Sequence, residues 1–318
     1  MLFSTINEWS NQGVISMAKD FRKISGVLLL DKATGVSSNT ALQQVRHLLK
    51  AQKAGHTGVL DPLATGLLPI CLGEATKFAQ YLLDADKAYI ATLKLGEKTT
   101  TGDSEGEIIS TTNHIPDEKS FQAACNAFLG EIEQTPPMYS ALKFQGKALY
   151  EYARQGIEIE RKKRKITIHK IDILAFNPPF AQIFVACSKG TYIRTLAEDI
   201  AAFSGSLTHL TALRRTQTAG FLLENAITFN ELQKLDENEQ EKYILPVDCM
   251  LQHFPEIRLP ENHILALQQG KSVQFELNQD IISPFRVYDT KNNFIGLCKA
   301  FSGSLKALRL MSLEADKV

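Results

Sequence analysis

The sequence predicts an α+β fold that carries a small all-β module at its carboxyl end. Stretches that alternate apolar and polar residues occur among stretches whose apolar residues recur at helical spacing. From about residue 252 onward, only short alternating pieces separated by turns remain. The chain has 318 residues, which is enough for one large domain and one small domain, each with its own core.

Up to residue 95, the patterns predict two strands with a helix between them. Residues 26–32 are a short apolar run ended by charge, which is typical of a buried strand. After the capping pair Ser37-Ser38, apolar residues recur at helical spacing and predict a helix over 39–50. Residues 62–81 predict mixed helix and loop. Residues 89–95 alternate and therefore predict a strand with one buried face.

The middle of the chain predicts two longer helices and two more strands. A helical stripe over 121–129 stops at a glycine, and a second helix over 192–205 ends in the same way. Between these helices, residues 166–174 and 182–188 have the composition and length of strands.

Three further segments have weaker patterns. Residues 96–107, rich in glycine and threonine, predict a loop, and a short helix is expected to end at Gly156. Residues 231–242 hold five acids and two lysines and predict a solvated helix or linker. The predicted divisions of the chain are a flexible N-terminal extension over 1–24, a large domain over 25–251 and a small domain over 252–318.

The composition limits the class of protein. The chain has 35 basic and 35 acidic residues, so its formal net charge of zero neither indicates nor excludes a nucleic-acid partner. Its five cysteines lie far apart and include no C-x-x-C pair, which disfavours a zinc ribbon or a disulfide framework. We therefore predict buried free thiols in a reducing compartment.

The chain lacks the sequence signals of membrane insertion or secretion. No run approaches the roughly 18 consecutive apolar residues that a membrane span needs. The N-terminus has neither the basic start nor the apolar block of a signal peptide. We therefore predict a cytoplasmic protein. Met17 could itself be a start, so whether residues 1–16 are translated stays open.

Asp61 lies in the densest stretch of the chain, "GHTGVLDPLATGLLP" at residues 55–69. Asp-Pro before an apolar run is a good helix N-cap, and the local pattern alone favours that interpretation. The same aspartate could instead present a carboxylate at the mouth of a cleft. The stretch matches neither a Walker A loop nor a dinucleotide fingerprint.

Other candidate residues also have ordinary structural interpretations. A loop histidine such as His56 is usually solvated or satisfied by backbone, and Tyr89 in an alternating strand is most simply a core aromatic. Arg194 is at helical spacing from Glu198, so a salt bridge between them is the simplest expectation.

The basic run "RKKRK" at residues 161–165 is the one local hint of a polyanion partner. Such runs usually decorate a solvated face, but Lys162, Lys163 and Arg164 could also contact phosphates. Phosphate contacts of this kind would supply affinity without reading bases.

Several long motifs occur in the order and at the separations of one family. They are "GVLLLDKATGVSSNTALQQVR", "AGHTGVLDPLATGLLPICLGEATKFAQYLLDADKAY", "PPMYSALKFQGKALYEYARQGI", "CSKGTYIRTLAEDI" and "LTALRRT". With these motifs, residues 25–250 closely resemble the bacterial TruB family of tRNA pseudouridine synthases. The tail resembles the small RNA-binding β-barrel of PUA type that ends those enzymes.

The resemblance implies a fold and a reaction. The fold is the pseudouridine-synthase fold, a mixed and mainly antiparallel sheet with flanking helices and a central RNA-binding cleft. The reaction is the isomerisation of uridine-55 in the T loop of tRNA to pseudouridine. The base is cut from its sugar at N1, turned and rejoined through C5, with no organic cofactor and no metal. The implied partner is tRNA, without a guide RNA or a membrane, and a monomer is the default.

The resemblance also implies roles for residues of this chain. Asp61, Tyr89 and Arg194 match the catalytic aspartate, the tyrosine that stacks on the base and the arginine that pairs with the acid. His56 matches a residue that takes part in extruding the base, and Tyr192 lines the nucleotide pocket. The further residues expected to bind substrate are Leu213 and Lys32.

Two departures from the family pattern and two alternative functions remain. Ala33 replaces a usual proline, which should soften a turn, and Thr100 replaces a common aspartate. The chain could also be a tRNA-folding chaperone independent of catalysis, or a guide-dependent synthase acting on ribosomal RNA. Whether Asp61 attacks the sugar, attacks the base or removes a sugar proton stays open, as does the group that serves as base at C5.

Overall fold

The computed structural model describes residues 21–83, 85–275, 284–301 and 303–312. The predicted extension over 1–24 therefore lies mostly outside the described residues. Of its last four residues, Arg22 forms a β-bridge with Ala51, and its guanidinium pairs with Glu237 and Glu241.

The described part of the chain contains strands and helices in mixed order, as predicted. The strands are β1 (Gly26–Lys32), β2 (Ala54–His56), β3 (Thr65–Leu72), β4 (Lys87–Leu95), β5 (Glu97–Thr99), β6 (Ile108–Thr111), β7 (Gly130–Gln134), β8 (Lys143–Phe144), β9 (Lys147–Ala148), β10 (Arg164–Asn177), β11 (Phe180–Cys187), β12 (Thr208–Thr218), β13 (Phe221–Leu222), β14 (Ile227–Thr228), β15 (Ile244–Leu245), β16 (Glu256–Arg258), β17 (Val273–Gln274), β18 (Phe285–Tyr288), β19 (Phe294–Phe301) and β20 (Ser304–Leu310). The helices are α1 (Ser38–Leu48), α2 (Gln80–Leu83), α3 (Glu118–Ala127), α4 (Leu149–Ala153), α5 (Ile193–Phe203), α6 (Phe229–Leu232), α7 (Glu237–Glu241) and α8 (Glu261–Gln268).

The main sheet has eleven strands and mainly antiparallel pairing. Eight of them follow the spatial order β14-β1-β3-β12-β4-β11-β10-β7, and β2, β13 and β15 pair beside that path. Two pairs, β1 with β14 and β3 with β12, are parallel. The strands predicted at 26–32, 89–95, 166–174 and 182–188 correspond to β1, β4, β10 and β11. This arrangement confirms the mixed, mainly antiparallel sheet.

Three amphipathic helices cover one face of this sheet. Helix α1 contributes Val45, α3 contributes Phe121 and α5 contributes Leu196 to a core that they share with alternate residues of the strands. Helix α1 begins where predicted, because the Ser37 side chain accepts a hydrogen bond from the Thr40 N–H at 3.0 Å. Burial of these apolar stripes, more than helix propensity, holds helices of this length in place.

The prediction of mixed helix and loop over residues 62–81 was wrong for its first half. Residues 65–72 form β3, which lies between β1 and β12 in the sheet and is buried on both faces. A strand that is covered on both faces does not alternate apolar and polar residues. Its continuous apolar run therefore cannot be distinguished from a buried helix by periodicity. The predicted loop over 96–107 likewise contains β5, which pairs with β6.

The carboxyl-terminal residues form a separate five-stranded sheet in the order β16-β18-β19-β20-β17. It has its own apolar core, in which Leu259, Phe285 and Leu305 are fully buried. The module is not purely β, because α8 packs into this core through Ile264 and Leu267. That helix was missed because only its buried side carries a short apolar pattern.

The second face of the main sheet packs against the linker that leads to this module. Leu29 and Leu67 from the sheet share a core with Met250 and with Leu297 of β19. The five cysteines are free, and four of them are buried, which agrees with the predicted free thiols. None of the helices in the described ranges is long and apolar enough to cross a membrane.

Candidate active site

Asp61 lies on a loop that enters a cavity of about 410 Å³. The other walls of this cavity come from the start of α1, the β5–β6 connection, the segment before β8, helix α4 and the start of α5. Because residues 65–72 form a strand, no helix follows Asp61, and the interpretation of Asp61 as an N-cap was wrong. Its side chain, 39 % exposed, is directed instead at the cavity and at Arg194.

The Asp61 carboxylate and the Arg194 guanidinium form an ion pair. Asp61 Oδ2 lies 3.0 Å from Arg194 Nη2. Arg194 is otherwise buried, with 7 % of its side chain exposed, and it donates to the carbonyl oxygens of Thr101 and Tyr139, each at 2.7 Å. The expected salt bridge from Arg194 to Glu198 is not made, because Glu198 pairs with Lys98 at 3.3 Å.

Helix α5 and a tight turn determine the direction of Arg194. The residue occupies the first turn of α5, so its side chain leaves the helix beside Asp61. Gly102, at a φ of +75°, lies against it, and a Cβ on Gly102 would come within 3.4 Å of Arg194 Cβ. The positive φ of this turn favours glycine, because residues with a Cβ rarely adopt it.

Asp103 is a second carboxylate beside Arg194, and it was not among the predicted site residues. Its Oδ2 lies 3.6 Å from Arg194 Nη1, and its side chain is almost fully buried. Its Oδ1 accepts hydrogen bonds from the Thr101 hydroxyl at 2.6 Å and from the Glu105 N–H at 3.1 Å. The one available signal was an aspartate within the glycine-rich segment "TTTGDSEG".

The surroundings of Asp61 act on its charge in opposite directions. Burial raises its pKa above the ordinary value for an aspartate, and the charge of Asp103 raises it further. The neighbouring Arg194 lowers the pKa through charge and hydrogen bonding, and Lys32 lowers it through charge. The net effect is a raised pKa, so the carboxylate is a stronger base than a free aspartate but keeps a cation that favours its ionised form.

Three side chains below the cavity fix the loop that carries Asp61. The Ser38 hydroxyl accepts from the Leu60 N–H at 2.8 Å and donates to the Leu60 carbonyl at 2.9 Å. Thr34 donates to the carbonyl of Leu63 at 3.1 Å. Lys32 Nζ donates to the Val36 carbonyl at 2.6 Å and approaches the Pro62 carbonyl at 3.5 Å.

Lys32 was expected to bind substrate, but the structure buries it beneath this loop. Only 1 % of the residue is exposed, and its amino group is surrounded by backbone carbonyls. Burial lowers its pKa to about 8, partly offset by the charge of Asp61. The structure therefore brings Lys32 to the support of the Asp61 loop and not to the cavity wall.

Tyr89 and Leu213 lie diagonally across the pair of β4 and β12 and share the core on one face of the sheet. Tyr89 on β4 is opposite Arg215 on β12, and two residues further along β4, Ala91 is opposite Leu213. Tyr89 and Leu213 are 7 % and 9 % exposed. Tyr89 is thus a core aromatic as well as a neighbour of the site. Burial raises the pKa of Tyr89, while the Arg215 guanidinium lowers it.

His56 and Tyr192 belong to parts of the main sheet that are far apart in the strand order, since His56 lies on β2 beside β3 and Tyr192 contacts the end of β7. His56 ends β2, and its Nδ1 is buried without a partner among the described residues. Burial and then the charge of Arg215 lower the pKa of His56. Tyr192 precedes α5, where its backbone N–H donates to Gln134 Oε1 at 2.8 Å.

The three residues of the basic run that were predicted to contact phosphates have different surroundings. Lys162 and Lys163 are exposed, and Lys163 lies 4.0 Å from Glu133. Arg164 is half-buried at the start of β10, and its charge lowers the pKa of Tyr192, although burial is the larger effect and raises it. Arg164 is therefore a neighbour of Tyr192, and neither of the two residues lines the cavity that Asp61 enters. Across the described ranges, no three His, Cys, Asp or Glu side chains are grouped as metal ligands.

Family models match nearly the whole described part of the chain. Residues 46–193 match the TruB family pseudouridylate synthase N-terminal domain. Residues 194–252 match the tRNA pseudouridylate synthase B C-terminal domain, and residues 255–311 match the C-terminal model of pseudouridine synthase II TruB.

Curated relatives match at high identity. The tRNA pseudouridine synthase B of Neisseria meningitidis serogroup A is 56% identical over 93% of this chain and 97% of its own length. The protein of the same name from Chromobacterium violaceum is 51% identical over the same shares of the two chains. One from Thiobacillus denitrificans is 50% identical over 91% of this chain and 96% of its own.

Solved structures share the fold. A Cbf5-Nop10-Gar1 complex contains a chain that matches with a TM-score of 0.66 and 26% identity, covering 88% of this chain and 79% of that one. An H/ACA RNP bound to a substrate RNA matches with the same TM-score at 23% identity, over 91% and 86% of the two chains.

The sheet, the cleft and these matches define a pseudouridine synthase with a carboxyl-terminal PUA-like domain, as predicted. The chain belongs to the TruB family.

Proposed function

We propose that this protein isomerises uridine-55 in the T loop of tRNA to pseudouridine, with Asp61 as the catalytic carboxylate and without a cofactor. Its relatives are named for activity on tRNA. The single observation that carries the proposal is the half-exposed Asp61 carboxylate, held by a buried Arg194 in the wall of the cavity.

The chemistry requires an ionised acid beside the nucleoside. Uracil is a poor leaving group, so the N1–C1′ bond breaks only with help from a nucleophile or from a base that removes a sugar proton. A carboxylate can perform either step. Arg194 keeps that carboxylate charged and aimed, because a fixed guanidinium matches it in charge and geometry. The reaction is an isomerisation that consumes no electrons, and therefore it needs no redox group.

The neighbouring side chains suit a uracil ring. We assign Tyr89 and Leu213 to one wall of the pocket and Tyr192 to another, where flat or apolar surfaces hold a base by stacking. His56 would pack against the RNA as the base leaves its stack. A uridine within a folded loop must be flipped out at a cost of a few kcal/mol, which such contacts repay.

The test uses the full chain and an unmodified tRNA transcript. Pseudouridine is mapped by chemical adduct formation and primer extension, with a transcript carrying cytidine at position 55 as the control. We expect modification at position 55 when no guide RNA is added. A requirement for a guide RNA, or modification elsewhere only, would overturn the proposal.

The Asp61→Asn variant separates this function from tRNA folding alone. We expect it to abolish turnover and to bind tRNA with nearly unchanged affinity, because the asparagine keeps the shape of the side chain. Turnover at the wild-type rate would remove Asp61 from the mechanism.

A further inference from the structure

Arg215 is a buried cation directly opposite Tyr89 in the antiparallel pair of β4 and β12. Its exposure is 1 %, the same as that of Lys32. Arg194 and Arg214 each pair with a carboxylate. Arg215 has no carboxylate partner among the described residues, although burying an unpaired guanidinium costs several kcal/mol. Packing alone does not explain a charge at this position.

The backbone of the neighbouring strand fixes the Arg215 side chain. Its Nε donates to the carbonyl of Leu67 at 2.7 Å. Gly66 faces the backbone of Arg215 in the parallel pair of β3 and β12, where a Cβ would collide with it. A Cβ on Gly58 would lie 3.4 Å from Arg215 Nη1, so the loop that leads to Asp61 covers the guanidinium.

The charge of Arg215 acts on groups from several elements around the cleft. It lowers the pKa values of His56 and Lys32, after the larger effect of burial. Tyr89 also interacts with Cys187 and Asp61, both of which raise its pKa. Arg215 is the one group among these neighbours that favours a negative charge on the Tyr89 oxygen.

We propose that Arg215 is a positioning residue for Tyr89, fixing its hydroxyl and favouring the deprotonated oxygen while Tyr89 removes the proton from C5 of the rotated base. This inference rests on the proposed function. In that step, the C5–H bond breaks, its electron pair returns to the ring and the proton forms a bond to the Tyr89 oxygen. N1, which left the sugar with its bonding pair, takes one proton from water, and Tyr89 returns one proton to water, so the isomerisation balances.

The activity test compares Arg215→Met and Arg215→Lys with the control Arg214→Met. Arg214 is next along β12 and points to Asp31 instead of Tyr89. We expect Arg215→Met to lower the single-turnover rate on saturating tRNA by about 10- to 100-fold, with tRNA affinity nearly unchanged. Arg215→Lys should recover part of the rate, and Arg214→Met should remain near wild type.

Two readouts separate positioning from a structural role. With tRNA deuterated at C5 of uridine, Arg215→Lys should show a larger isotope effect than wild type, because proton removal becomes slower. In a Tyr89→Phe background, Arg215→Lys should cause no further loss. An unchanged isotope effect, or additive losses in the double variant, would overturn the proposal.

A third readout does not depend on activity. Tyrosine carbon labelling and NMR, with Tyr89→Phe to assign the signal, should show Tyr89 titrating at higher pH in Arg215→Met than in wild type. Because this shift is measured without substrate, it tests the Arg215–Tyr89 interaction even where the reaction itself fails. A Tyr89 titration that does not move would overturn the inference. Arg215→Lys serves the same measurement where Arg215→Met does not fold.

Discussion

Asp61 Oδ2 lies 3.0 Å from Arg194 Nη2, and the two side chains differ sharply in burial, at 39 % and 7 % exposed. The cation is inside the protein and the anion faces the cavity. An exposed surface pair contributes little, but a buried guanidinium with further bonds to Thr101 and Tyr139 cannot swing away. The pair therefore determines where the carboxylate lies before any RNA arrives.

The acid limb of the pH–rate profile should move in opposite directions when either of two buried charged neighbours of Asp61 is neutralised. The negative charge of Asp103 raises the pKa of Asp61, so Asp103→Asn should move the limb to lower pH. The positive charge of Lys32 lowers that pKa, so Lys32→Met should move the limb to higher pH. The measurement is the single-turnover rate on tRNA as a function of pH. Shifts in the same direction would contradict the electrostatic account of Asp61.

Lys32 should also give the protein a distinctive dependence of stability on pH. Its pKa falls from 10.5 to about 8 on folding. Between these values the unfolded chain binds more protons, so the free energy of unfolding contributed by this group rises with pH. As the pH rises through this range, the free energy of unfolding of wild type should increase relative to that of Lys32→Met by at most about 3 kcal/mol. Urea denaturation of both proteins at several pH values measures this difference in free energy of unfolding. A difference that does not change with pH would contradict the lowered pKa of Lys32.

The sequence predicted the elements whose burial is one-sided. Strand β4 alternates, and Ser37 caps α1 as its position before the stripe indicates. The ion pair between Asp61 and Arg194 followed only from the resemblance, because local pattern favoured other roles for both residues. No spacing rule joins residues so far apart in a chain.

The unpredicted features depend on contacts between distant segments. Strand β3 has no period because both of its faces are covered. Asp103 becomes important only where its loop folds against α5. Nothing in "LRRT" distinguishes Arg215 from Arg214; both pair with β4, but Arg215 is opposite Tyr89 and Arg214 is opposite Ile90. The roles of these residues depend on tertiary contacts, which cannot be read from the pattern of one sequence.

Ser38, which supports the Asp61 loop, and Ser37, which caps α1, should differ in their effect on the reaction rate. Ser38→Ala leaves the Leu60 N–H and carbonyl without their partner, which should cost about 1–3 kcal/mol. Because Leu60 precedes Asp61, we also expect the single-turnover rate to fall by roughly 10-fold, the equivalent of about 1.4 kcal/mol. Ser37→Ala removes the cap of α1 and should cost about 1 kcal/mol with an unchanged rate. Urea denaturation and single-turnover assays test both, and equal rate losses would contradict the distinction.

The basic run should contribute to RNA affinity through its exposed members. Replacing Lys162 and Lys163 with glutamine should weaken tRNA binding and make its salt dependence less steep, by about one unit for each phosphate that is no longer neutralised. Lys165→Gln is the matched control, because Lys165 lies 2.8 Å from Glu131, closer than the 4.0 Å between Lys163 and Glu133, and its charge is the more strongly opposed. Arg164→Gln should act differently, because Arg164 adjoins Tyr192. We expect it to lower the single-turnover rate and to leave the salt dependence of tRNA binding nearly unchanged. Titration of labelled tRNA at several salt concentrations measures these slopes. If the double variant keeps the wild-type slope, the run is a solvated face that does not meet the phosphate backbone.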